Sequence, residues 1–169
     1  MEHWLERVYR DYAPALFRFL LHLTGNEADT HDALQEIFVR LARSPRLLDG
    51  VTAPRSFLFR MAHRLVIDRH RREESRRQTA ERAAQEIPAS IGPETPASDT
   101  IWRQKSVAGA LEALPLEQKA VVALKVWENL TFAEIAEVLD IPPNTAASRY
   151  RYALDKLRDA LRPLHKDLS

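Results

Sequence analysis

Apolar side chains at Trp4, Leu5, Val8, Tyr12, Leu16, Phe19, Leu20 and Leu23 recur at three- and four-residue steps. That period predicts an amphipathic helix over roughly the first two dozen residues, with Pro14 expected to kink or interrupt it. Gly25 and Asn26 supply a stop and a cap for a second helix, whose apolar face is Leu34, Ile37, Phe38 and Leu41 and whose other face is acidic. Residues 44–53, with Pro45, Asp49 and Gly50, read as a loop. Pro54 then fits the first turn of a third helix with the buried stripe Leu58, Met61, Ala62 and Leu65, which runs out through Asp68 into an arginine-rich end.

After Arg77 the periodicity stops. Between Gln78 and Ser98 the chain carries Pro88, Gly92, Pro93 and Pro96 and almost no large apolar side chain, so it has little surface to bury against the entropy of ordering and reads as a flexible linker. Helical spacing returns from Ile101 with Val107, Leu111 and Leu114, and Pro115 opens a helix carrying Val121, Val122, Leu124 and Trp127. Thr131 and Glu134 form a capping-box signature ahead of Ile135, Ala136, Val138 and Leu139. Asp140 to Pro143 breaks the pattern, and a last helix follows from about Asn144 to Leu161. The fold class is all-α: two small helical domains, 1–77 and 101–169, joined by a linker over 78–100.

Composition agrees with that reading and narrows the functions. Prolines number 10 against 4 glycines, which suits neither a turn-rich sheet nor a glycine-lined phosphate cradle. With 0 cysteines there is no disulfide frame, thiol nucleophile or cysteine zinc site. No apolar run approaches a membrane span and no signal-like head opens the chain, so the expectation is a cytoplasmic protein without membrane insertion. The net charge is +1, yet the charges are segregated. Glu27, Asp29, Asp32 and Glu36 meet no Lys or Arg between Leu23 and Phe38, whereas eight arginines from Arg55 to Arg77 oppose only Asp68, Glu73 and Glu74.

The strongest local signal is Thr131 to Arg158, a short capped helix, a turn and a longer basic helix, which is the spacing of a helix-turn-helix. Ala136 is the small residue at the helix crossing, and Asp140 tolerates a left-handed turn. Thr145, Ala147, Ser148 and Arg149 lie in the first turns, where side chains reach base edges or flanking phosphates, and Arg151 and Lys156 lie further along for the backbone. The plain alternative is a helical hairpin with a solvated basic face. In the third helix, Arg60, Arg64, Arg69, Arg71 and Arg72 stand near Phe57 and Phe59, a mixture of cations and rings suited to phosphates and unstacked bases, or else merely solvating a helix end. His63, Asp68 and His70 have poor spacing for a shared metal ion. Asp32, Gln35 and Glu36 offer either a solvated face or a dock for a basic partner.

In this order the segments resemble the extracytoplasmic-function group of the bacterial sigma-70-type sigma factors over nearly the whole chain. The stretch Asp32-Ala-Leu-Gln35-Glu36-Ile-Phe38 is similar to the family's polymerase-binding helix. Pro54-Arg-Ser-Phe57-Leu-Phe-Arg60, followed by Ile67-Asp68-Arg69-His-Arg71-Arg72, resembles its promoter-melting and minus-ten-reading helix. Leu130-Thr131-Phe-Ala-Glu134-Ile-Ala136 and Ile141-Pro142-Pro-Asn144-Thr145-Ala-Ala147-Ser148-Arg149 resemble its minus-thirty-five-reading domain. The resemblance implies a protein with no covalent chemistry, cofactor, metal or small-molecule substrate. Its implied partners are core RNA polymerase, promoter DNA and an anti-sigma factor. It assigns polymerase binding to Asp32, Gln35, Glu36 and Phe38, the minus-ten element to Phe57, Arg60, Arg64, Asp68, Arg69, Arg71 and Arg72, and the minus-thirty-five element to Thr131, Asn144, Thr145, Ala147, Ser148, Arg149, Arg151 and Lys156.

The sequence departs from the family pattern at Asn144, often Gly, at Ala146, often Val, at Ala147, often Lys, and at Tyr152 and Leu154, often basic. Arg64 stands where an Asn is common. Two rival functions are a free-standing operator-binding regulator, for which no dimerisation heptad is evident, and a metal-dependent helical hydrolase, which the ligand spacing disfavours.

Overall fold

A computed structural model describes residues 2–84 and 106–167, and among these residues the regular structure is helical throughout. Helix α1 spans Glu2–Thr24 and runs unbroken through Pro14. Pro14 is exposed between the buried residues Ala13 and Leu16, so water can solvate the carbonyl the proline frees while the flanking side chains hold the helix on the core. Gly25, at φ +76°, stops α1 in a conformation that disfavours a Cβ. Asn26 then caps α2 (Glu27–Arg43): its side chain accepts the Asp29 N–H at 2.8 Å, and the buried Thr30 hydroxyl donates to its carbonyl at 2.7 Å.

A 3-10 turn at Pro45–Leu48 leads into α3, Pro54–Ala84. Its buried residues are Leu58, Phe59, Ala62, Leu65 and Val66, and Phe59 meets Phe19 of α1 edge to face at 5.3 Å. Beyond Val66 no residue of the helix is fully buried, yet it continues through residues 78–84, the first part of the segment read as linker. Good helix formers and the Arg77 pairs with Glu74 (3.0 Å) and Glu81 (3.9 Å) sustain it without a core. The rest of that expected linker lies outside the described residues.

The second half contains α4 (Val107–Glu112), capped by Ser106; α5 (Leu116–Val126), which starts after Pro115; α6 (Phe132–Leu139); and α7 (Pro143–Asp167). Helix α7 passes Pro163, which is exposed, and so outruns the end expected near Leu161. The two halves do not stand apart. Leu16, Phe19 and Leu58 belong to the same continuous core as Val121, Leu124, Ile135 and Leu139, with α1 packed on α5 and α3 on α6.

Candidate nucleic-acid interface

The helix-turn-helix forms as its local chemistry dictates. Thr131 caps α6: its hydroxyl accepts the Glu134 N–H at 3.2 Å, and the Glu134 carboxylate accepts the Thr131 N–H at 2.7 Å. That backbone bond, with the hydroxyl's, holds the Glu134 carboxyl below its usual range. Asp140 closes α6 in the left-handed region at φ +56°, and the Ile141 N–H returns to the Ala136 carbonyl at 3.0 Å.

On α7 the buried residues Ala146 and Ala153 define the core side. At about 100° per residue, Asn144, Ala147, Ser148, Arg151 and Arg158 project from the opposite side, and Thr145, Arg149 and Lys156 occupy a flank. Asn144, Arg151 and Lys156 are exposed; Thr145, Ala147, Ser148 and Arg149 are half-buried. Arg149 reaches Glu117 of α5 at 3.5 Å, whereas the Arg151 guanidinium lies 5.3 Å from the centre of the Tyr152 ring. Arg158 pairs with Asp155. Arg158, read from the sequence only as part of a basic stretch, and Tyr152, read only as a departure from the family pattern, join the exposed surface once the buried alanines fix the rotation of the helix.

Helix α3 sorts its candidates in the same way. Arg60, Arg64, Asp68 and Arg71 fall on one stripe opposite the core, spanning about 17 Å, while Arg72 lies on its flank and Phe57, at the head of the helix, packs in part against the core. Arg64, Asp68, Arg71 and Arg72 are exposed; Phe57 and Arg60 are half-buried. Arg69 lies on the core side and instead bonds Glu36 of α2 at 2.8 Å. Glu36 also accepts from Arg40 at 2.5 Å. Burial would raise the Glu36 carboxyl, but the two guanidinium groups outweigh it and hold the pKa down.

Glu36 is therefore not a free acid, and the open part of the α2 candidate surface is Asp32 and Gln35. Phe38 is largely buried, its ring 4.9 Å from that of Tyr9, and its remaining edge joins Leu5, Leu34 and Val39 along an apolar groove between α1 and α2. Among the described residues no three His, Asp or Glu side chains converge as a metal site, and no helix is long and apolar enough to cross a membrane.

Residues 8–76 match the family Sigma-70 region 2, and residues 104–157 match Sigma-70, region 4. Over 168 residues the chain is 31% identical to the extracytoplasmic-function (ECF) RNA polymerase sigma factor SigK of Mycobacterium bovis, covering 95% of this chain and 82% of that relative. The chain belongs to the extracytoplasmic-function sigma factors. A second such sigma factor, SigL of Mycobacterium tuberculosis, is 29% identical over 161 residues, covering 95% of this chain and 90% of the other. The solved structure of the sigma factor RpoE of Bartonella quintana, in complex with the anti-sigma factor NepR, shares the fold, with a TM-score of 0.65 at 16% identity over 96% of this chain and 98% of that one. As an ECF sigma factor, this protein directs transcription by RNA polymerase. The region 2 match takes in α2 and most of α3, and the region 4 match takes in the helix-turn-helix.

Proposed function

We propose that this sigma factor divides its work between a first domain, 1–77, and a last domain, 101–169, tethered by residues 78–100. The first docks on core RNA polymerase through Asp32, Gln35, Glu36 and Phe38 of α2 and takes the minus-ten element on α3 through Phe57, Arg60, Arg64, Asp68, Arg69, Arg71 and Arg72. The second takes the minus-thirty-five element through Thr131, Asn144, Thr145, Ala147, Ser148, Arg149, Arg151 and Lys156. The observation that carries this reading is the α3 stripe, where Arg60, Arg64 and Arg71 share the side turned away from the core, with the half-buried Phe57 at its head. The protein catalyses no reaction itself and works in the cytoplasm, where its polymerase and promoters are. An anti-sigma factor is a further partner, by analogy with the RpoE complex.

The test is reconstitution. Core polymerase mixed with the chain should start transcription from specific promoters. Asp32→Arg with Gln35→Arg should weaken co-elution with core polymerase by about tenfold or more while leaving helix content unchanged, since both residues are exposed. Unchanged co-elution would overturn the docking assignment.

A further inference from the structure

Between α5 and α6 the chain makes a tight turn, Trp127-Glu128-Asn129, in which Asn129 takes φ +54° and the Leu130 N–H bonds the Leu124 carbonyl at 3.1 Å. The turn presents Glu128 to the first domain, where its side chain is only 1% exposed. Arg18 of α1 grips the carboxylate with two bonds, Nε to Oε1 at 2.8 Å and Nη2 to Oε2 at 3.1 Å. Arg55, in the first turn of α3, adds Nη2 to Oε2 at 3.0 Å and to the Glu128 carbonyl at 3.0 Å. Beside this clasp the His22 and Trp127 rings lie 4.0 Å apart. All these contacts join the two domains.

The same closure brings the promoter-reading elements together. Helix α3 packs directly on α6, the first helix of the helix-turn-helix. Promoter elements named minus ten and minus thirty-five stand roughly 25 base pairs apart, about 85 Å along a duplex rising 3.4 Å per step. A body in which α3 is packed on the helix-turn-helix cannot reach both at once. We propose that Glu128, held by Arg18 and Arg55, is a latch that keeps the sigma factor closed, and that loading onto core polymerase requires its release. This inference rests on the assignment of α3 and α7 to the two promoter elements.

The asymmetry of burial gives the latch a distinctive signature. Arg18 and Arg55 are about half exposed and stay hydrated without their partner, whereas Glu128 without them is a buried anion with no cation, relieved only by opening to water. Removing the arginines should therefore open the protein more than neutralising the glutamate does. Neutralising the glutamate as well should close it again.

Because the chain has no cysteine, Arg46→Cys and Asp159→Cys, both at exposed sites, permit clean dye labelling of the full chain for single-molecule distance measurement. The unaltered pair of sites should report one compact population. Arg18→Ala with Arg55→Ala should raise a longer-distance population at least tenfold at unchanged helix content; adding Glu128→Gln should return it toward the starting level. Core polymerase should shift the unmutated chain to the long distance. A double arginine variant that stays compact, or one that Glu128→Gln fails to re-close, overturns the latch, and polymerase binding to a chain that remains compact overturns its role in loading. Failure of polymerase to bind at all would overturn the docking assignment instead, and the distances still decide the latch.

Discussion

His63 shows how one side chain can report the closure of the whole protein. Burial at the meeting of the domains, the nearby Arg149 and then Arg64 push its pKa down from 6.5 to about 4, with only Glu117 pulling the other way. The folded chain thus prefers neutral imidazole, while the unfolded chain binds a proton as pH falls through 6.5. Stability should be complete above that value and decline towards pH 4. Allowing for partial exposure, the loss between pH 7 and pH 5 amounts to about 1–2 kcal/mol. His22, depressed mainly by its burial and then by Arg18, acts in the same direction. Urea midpoints at the two pH values should show this drop in the parent chain and a smaller one in His63→Gln. Equal drops in both would mean that His63 is not the titrating group. Arg149, by contrast, was singled out from its position in the first turns of the recognition helix, but its pairing with Glu117 was not legible, because the partner lies 32 residues away in another helix.

At the scale of elements, legibility followed locality. The Thr131–Glu134 box and the left-handed Asp140 each depend on residues within four positions of one another, and both appear where the spacing placed them. The last turns of α3 were missed because the sequence reading looked for surface to bury, whereas ion pairs and helix propensity hold those turns in water. Pro14 does not interrupt α1, since the local penalty was overridden by the burial of its neighbours. Two predictions belong here. Thr131→Ala removes the hydroxyl half of the box and should lower stability by about 1 kcal/mol, measured as a shift in the denaturant midpoint without a change in slope. On α7, Arg151→Ala should impair minus-thirty-five binding more than Arg149→Ala, because Arg151 projects opposite the buried alanines while Arg149 is turned to Glu117. If Arg151 holds a phosphate, its loss should weaken all sequences alike and lower the salt slope by about one unit. Equal effects of the two substitutions would place the groove-facing side elsewhere.

For the whole molecule, the periodic pattern was enough to count helices and divide them into two groups, but it was silent on how the groups meet. An apolar stripe says that a face is buried and not by what. Glu128 lies 110 residues from Arg18 and 73 from Arg55, and each is an unremarkable charge in its own segment. The shared core has a thermodynamic consequence that separate domains would not. Because Leu16, Phe19 and Leu58 are packed in one cluster with Val121, Leu124 and Ile135, neither half can unfold without exposing apolar surface of the other. Heating should then give one transition, with an enthalpy on the order of 100 kcal/mol near 60 °C and equal calorimetric and van't Hoff values. Releasing the latch with Arg18→Ala and Arg55→Ala should uncouple the halves, so that the calorimetric enthalpy exceeds the van't Hoff value and the transition broadens or divides. Differential scanning calorimetry of the two proteins at pH 7 measures both quantities. Two separate transitions in the parent chain would mean that the contact between the domains contributes too little to couple them.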